Sequence, residues 1–297
     1  MFQFREPINA WSHGAGMLLA LPVTWFLWKR CVAAYEGRDA ESAPSRARYQ
    51  RIKALCLVVF GLTLTVCYGT SAAFHGARVS GEPLTTLERL DHVGIYLLIA
   101  GTYTPIAWGL MRGPWLWGTL TAAWTSALVC GTRVWCGSLL PMWLSTLTYL
   151  VMGWGALFCY NELARTHSHR KLLLLPLGGL FYSVGAAINL LHWPAPVPGV
   201  FAAHEMFHFF VIAGTTCHVL FMLGVVIPSP EPASLIIRAD RRHPSEQRPL
   251  SLLSQRAMFG RPRLSWKTWV TDLRIIRRSR TTAEISGMPA DNAVEVA

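Results

Sequence analysis

The chain has 297 residues, 52% of them hydrophobic and only 14% charged, with 13 Trp and a formal net charge of +11. A soluble domain carries about 25% charged residues, so a water-soluble enzyme is excluded as the first expectation and an all-α integral membrane protein takes its place. The charges are also segregated: of 27 Lys and Arg, 12 lie beyond residue 228 and 7 between Lys29 and Lys53, with long apolar runs between. That distribution points to membrane lipids as partners and to no nucleic-acid partner.

A helix that crosses a bilayer takes about 20 mostly apolar residues. In chain order the candidates are 9–28, 54–75, 91–111, 114–132, 138–160, 172–192 and 201–228. They predict a seven-transmembrane-helix bundle over residues 1–228 and a polar, basic C-terminal tail over 229–297. The first run begins near Asn9 with no small-residue cleavage site after it, so no cleavable signal is expected. Trp11, Trp25, Trp28, Trp115, Trp117, Trp143 and Trp193 lie near proposed ends, as interfacial aromatics do. Pro22, Pro105 and Pro176 fall within spans, where neighbouring helices accommodate them. Only Arg112-Gly113 separates the third and fourth spans, which makes them an antiparallel pair. In the tail, Trp266 to Arg280 combines apolar and basic residues, and reads either as a helix on an anionic membrane surface or as a solvated basic segment.

Five of the seven cysteines (Cys56, Cys67, Cys130, Cys159, Cys217) fall inside apolar runs and read as small hydrophobes. Cys130 and Cys136 are near enough in sequence to pair across a loop, on spacing alone. With seven spans, the face bearing the N-terminus carries four Lys or Arg (Arg5, Arg78, Arg89, Arg133), against 11 in the loops of the opposite face. Positive charge accumulates on the cytoplasmic side, so the tail is expected there and the N-terminus outside.

Ionisable residues at membrane depth are costly and mark function. The stretch FAAHEMFHFF (201–210) opens the seventh span with His204 and His208 four residues apart, on one face of a helix. Ser71 and His75 close the second span at the same spacing, and Asp91 and His92 open the third. An even-numbered span ends, and an odd-numbered one starts, on the same side of the membrane. Ser71, His75, Asp91, His204 and His208 therefore share one depth, and three histidines with a carboxylate at one level form a candidate metal site. His13, His192 and His218 have no partner one turn away and read as packing residues. His92 points about 100° away from Asp91 and reads as structural, Asp91 has an alternative reading as a helix cap, and Ser71 has one as a back-bond to a carbonyl. HEMFH also matches the zinc-protease pattern H-E-x-x-H, in which Glu205 would act as general base. The downstream x-x-G-x-x-H of one large protease group is absent, since FFVIAGTTCH follows His208.

These residues carry a resemblance. EPINAWSHGAG (6–16), SAAFH (71–75), LDHVGIYLLIAGTYTP (90–105) and HEMFHFFVIAG (204–214) resemble the hemolysin III family, the bacterial branch of the progestin and adipoQ (adiponectin) receptor family. The wider superfamily of metal-dependent membrane hydrolases includes the alkaline ceramidases. The resemblance implies a seven-helix fold in a bacterial cytoplasmic membrane and a Zn²⁺ near one face. Its ligands would be His75, His204 and His208, with Asp91 holding the attacking water and Ser71 lining the site. It further implies a zinc-dependent hydrolase of lipid amide or ester bonds. The alternatives are a zinc-stabilised receptor or sensor and a membrane-lytic protein, although the spans show little of the polar periodicity a pore lumen needs. The related receptors place the N-terminus and zinc site in the cytoplasm, opposite to the charge distribution here.

Overall fold

Pro7 opens the first helix, where a residue lacking an N–H leaves nothing unpaired that a helix start would pair. The computed structural model describes residues 4–36, 44–137 and 139–230. Within them α1 runs Pro7–Glu36, α2 Pro44–Gly76, α3 Glu82–Leu110 and α4 Gly113–Cys136. The second half holds α5 (Met142–Trp154), α6 (Ala156–Thr166), α7 (His169–Leu172), α8 (Leu174–Leu191) and α9 (Ala203–Phe221), which continues as a π-helical turn, Met222–Val226. The described chain is an all-α, mostly membrane-spanning bundle.

Three features differ from the sequence expectation, each for a local reason. At 30 and 33 residues, α1 and α2 are about 45–50 Å long at 1.5 Å per residue, so their polar ends project past a hydrocarbon core of about 30 Å. Helix α3 likewise starts at Glu82, after Gly81 with φ 66°, a left-handed conformation that glycine adopts without strain. Asp91 therefore sits more than two turns inside α3 and does not cap it. The expected fifth and sixth spans are each broken once. Gly155 separates α5 from α6, and the Tyr103 hydroxyl of α3 donates to the carbonyls of Met152 (3.0 Å) and Gly153 (2.8 Å) beside the break. Leu173 separates α7 from α8 because the Pro176 ring collides with a helical carbonyl four residues back, at Leu172, the last residue of α7.

Among the described residues, six stretches are long and apolar enough to cross a membrane: Pro7–Ala34, Arg46–Gly76, Glu82–Leu110, Met142–Thr166, His169–Leu191 and Ala203–Val226. At 24 residues α4 has the length, but four Trp and four Thr dilute its apolar character. The outward surface agrees with a lipid environment: Leu18, Leu62, Leu128, Val151 and Phe158, the last 83% exposed, would be a liability in water. The protein is thus a multi-pass membrane protein in contact with membrane lipids.

Packing proceeds between chain neighbours, α1 on α2, α2 on α3 and α3 on α4, with α8 against α9 and α9 returning beside α1. Close approach needs small residues. A Cβ on Gly94 of α3 would lie 2.9 Å from the Cys67 Cα of α2, and one on Gly214 of α9 would lie 3.0 Å from the Gly178 carbonyl oxygen of α8. The central cluster includes Leu27, Leu57, Phe60, Phe221 and Val226. Lys53, which the sequence places in a basic loop, is buried in α2 and donates to the carbonyls of Ile227 (3.2 Å) and Ser229 (2.7 Å). All seven cysteines are unpaired. Cys130 and Cys136 lie six residues apart within α4, facing different sides, so no bridge forms between them. The tail beyond residue 230, including the expected surface helix at 266–280, lies outside the described residues.

Candidate metal centre

The site is built where the C-terminal end of α2 meets the start of α9, with the chain ahead of α1 folded over the end of α2. Glu6 N–H donates to the His75 carbonyl at 2.9 Å and Arg5 N–H to the Gly76 carbonyl at 3.4 Å. His75 and His208 are buried, 2% and 1% exposed, and His204 is partly buried. Their three rings form a near-equilateral triangle with every centroid pair 4.9 Å apart. The nearest ligand atoms of all three lie within 4.8 Å of one another. The i, i+4 spacing and the shared depth read from the sequence thus correspond to an actual cluster.

A second layer fixes the tautomers. His75 Nδ1 lies 2.5 Å from a Glu6 carboxylate oxygen and His204 Nδ1 2.9 Å from Asn189 Oδ1. Both partners only accept, so each Nδ1 carries the proton. His208 Nδ1 lies 3.3 Å from Ser12 Oγ, which spends its own hydrogen on the Asn9 carbonyl at 3.0 Å. His208 Nδ1 is therefore the donor there too. That leaves an unprotonated Nε2 on each ring, with the Nε2 atoms of His75 and His204 only 3.3 Å apart. Two lone pairs at that distance repel. The separation equals that of two nitrogens on a tetrahedral zinc, about 3.3 Å for bonds of ~2.0–2.1 Å. The donor set, its tautomers and its outer hydrogen bonds all fit a divalent metal.

Asn9 ties this layer together, its amide donating to Glu6 (3.0 Å) and to Glu205 (2.9 Å). The Glu6 carboxylate is held below the usual carboxylate range, first by its hydrogen bond to His75 and further by the Asn9 amide and Arg5, with partial burial opposing. Glu205 accepts from the Ala202 N–H at 2.9 Å and caps α9. It is occupied outside the triangle, which removes the geometry that a protease-like general base needs. Ser71 is buried in α2, and Asp91 on α3 lines the cavity beside the triangle.

The remaining histidines divide. His13 is 4% exposed and stacks on His208 with centroids 3.7 Å apart. His92 hydrogen-bonds the Glu88 carbonyl at 2.8 Å, His218 packs near the Leu175 carbonyl, and His192 ends α8 in a left-handed turn. Glu6, Asn9, Ser12 and Asn189 escaped the sequence reading. The signal for the first three is their spacing, three residues apart on one face at the head of an apolar run. Asn189 gives none.

Beside the triangle opens a cavity of about 440 Å³ between α3, α5, α6, α8 and α9. Asp91, His204 and Asn189 line one part of it, and Ile106, Leu163 and Leu175 another. From Asp91 to Ile106 the wall of α3 is about 22 Å long, and the side chains along it are mostly apolar.

Comparison with known proteins places this geometry in a family. The family model described as Haemolysin-III related matches residues 2–219. The Hemolysin-3 homolog of Bacillus subtilis (strain 168) is 31% identical over 233 residues, covering 77% of this chain and 99% of that protein. Hemolysin-3 of Bacillus cereus is 31% identical over 234 residues, covering 77% of this chain and 96% of its own length. The match takes in every helix that builds the triangle, and the chain belongs to the haemolysin III family.

Proposed function

We propose that this chain binds Zn²⁺ through His75, His204 and His208 and hydrolyses the amide or ester bond of a membrane lipid. The carrying observation is the cluster of three imidazoles whose ligand atoms lie within 4.8 Å of one another, each ring held by a partner on its Nδ1. The ~36 Å length of α4 supports counting it as a further crossing, for seven spans.

Zinc held by three imidazoles supplies a Lewis acid and brings the pKa of a water down to about 7. The chain's own groups do the rest. Asp91 accepts the proton of the attacking water and returns it to the leaving group. The Ser71 hydroxyl holds the Asp91 carboxylate in place and keeps it from competing for the metal. The apolar cavity takes an acyl chain lengthwise, so that the carbonyl at its head lies between Asp91 and the triangle. Ordinary lipid chains reach such a cavity from within the bilayer, without passing through water.

Purified, zinc-loaded protein should release fatty acid from at least one member of a ceramide and phospholipid panel, and His208→Ala and Asp91→Asn should not. Equal release by wild type and both variants, or none by any, removes the enzymatic reading. One observation favours a second reading: the triangle and its outer partners join α1, α2, α8 and α9, as a structural metal would. In that case stripping zinc lowers the melting temperature while no lipid is turned over.

A further inference from the structure

On the membrane face that holds the metal centre, the end of α4 carries positive charge that the triangle does not use. Arg133 lies in the last turn of α4 and is exposed. A Cβ on Gly137, which ends the helix, would collide with its guanidinium. Arg89 of α3 reaches the same glycine, donating from Nη2 to its carbonyl at 3.4 Å. Arg89 lies about 160° round α3 from Asp91, away from the cavity that Glu88, Asp91 and His92 line. Two guanidiniums gathered at one residue repel unless a counter-charge sits with them. Glu82 offers one to Arg89, but at 3.9 Å and with its side chain 79% exposed, a pair that solvent screens. One turn below Arg133 the surface is apolar, with Leu128 69% and Val129 62% exposed. Leu128, Val129, Thr132, Arg133, Cys136 and Gly137 together line a groove on the outer side of α4.

We infer that this groove, with α4 counted as a crossing, holds one phospholipid of net negative charge. Its phosphate sits on Arg133 and Thr132 with the charge of Arg89 behind them, and an acyl chain lies along Leu128 and Val129. The depths agree. Leu128 and Arg133 are about 7 Å apart along the helix, close to the thickness of one headgroup layer, about 5–8 Å. Trp135, 48% exposed, stands where an interfacial aromatic does. The chemistry sets the class. A guanidinium meets two phosphate oxygens through parallel N–H bonds, and the Thr132 hydroxyl can donate a third. A choline or ethanolamine head brings its own cation, which two guanidiniums repel. The occupant is therefore a phosphodiester without one, of the phosphatidylglycerol kind. This site stands apart from the metal and from the lipid reading above, and it holds its lipid without cleaving it.

The test is lipid binding to the full-length protein in non-ionic detergent, read by native mass spectrometry as lipids bound per chain. Palmitoyl-oleoyl phosphatidylglycerol and the phosphatidylcholine with the same chains are the matched probes. The first phosphatidylglycerol should bind about tenfold more tightly than phosphatidylcholine at low salt, and that advantage should shrink as salt rises. Arg133→Gln should remove most of the preference and Arg89→Gln a smaller part, while Arg170→Gln, on the opposite face, should leave it unchanged. Thermal unfolding identifies a variant that fails to fold. Arg133 is exposed, so Arg133→Gln carries the test if Arg89→Gln is lost. No preference in wild type, or the same preference in folded Arg133→Gln, overturns the site. Displacement of the lipid by millimolar glycerol phosphate would make it a small-anion site instead. A dimer that Arg133→Gln dissociates, with no lipid bound, would make the groove a contact between copies. Either of these also overturns the proposal.

Discussion

Glu6 shows most directly how the outer layer would govern a metal in the proposed site. Its carboxylate fixes the His75 tautomer and places a negative charge beside a site meant for a dication. Glu6→Gln keeps the shape but turns a charged acceptor into a neutral amide. It should weaken zinc affinity by about 10–100-fold, read as metal content after dialysis against a graded chelator series. His13 acts by stacking, with both ring nitrogens unpartnered among the described residues. His13→Phe should therefore hold zinc like wild type, whereas His13→Ala frees the His208 ring and lowers retention severalfold in the same assay. At this scale the sequence is legible wherever a pattern is local. His204 and His208 declare themselves by spacing, and His75 joins them by depth. Glu6 meets His75 across 69 positions and Asn189 meets His204 across 15. No periodicity encodes such pairs, because they exist only once the helices have packed.

Among elements, hydropathy finds the middle of each span and misses its ends. The polar first turns of α2 and α3 lie beyond the hydrocarbon, where apolarity is no longer required, so Pro44 and Glu82 could not be read as starts. The break at Gly155 was equally hidden, since it is accompanied by a tyrosine on another helix, whereas Pro176 marked the one at Leu173. Helix contacts rest on missing side chains: Gly94→Val places a Cβ against the Cys67 backbone. Overpacking of this kind costs about 1–3 kcal/mol, and the variant should melt at a lower temperature in detergent with its helical circular dichroism intact. An unchanged melting curve would show that α2 and α3 have room to separate.

For the whole molecule, the burial of Lys53 trims the basic count of the face opposite the metal centre but leaves its excess over Arg5, Arg78, Arg89 and Arg133. A fluorescent protein fused after residue 297 should accordingly fluoresce, and alkaline phosphatase at the same point should stay inactive. The reverse pattern would put the metal centre in the cytoplasm. Chelation should lower the melting temperature of the bundle, since zinc bound only by the folded state stabilises it by mass action, and added zinc should restore it.

Helix α9 has the metal triangle at one end and the Lys53 ammonium, grasping the Ile227 and Ser229 carbonyls, at the other. The clamp acts as a strain relief, like the collar where a cable enters its housing: a tug on the C-terminal appendage stops at Lys53 and does not reach His208. Truncation after residue 230 should leave zinc content and melting temperature where they were. The same truncation in a Lys53→Met background should disturb both.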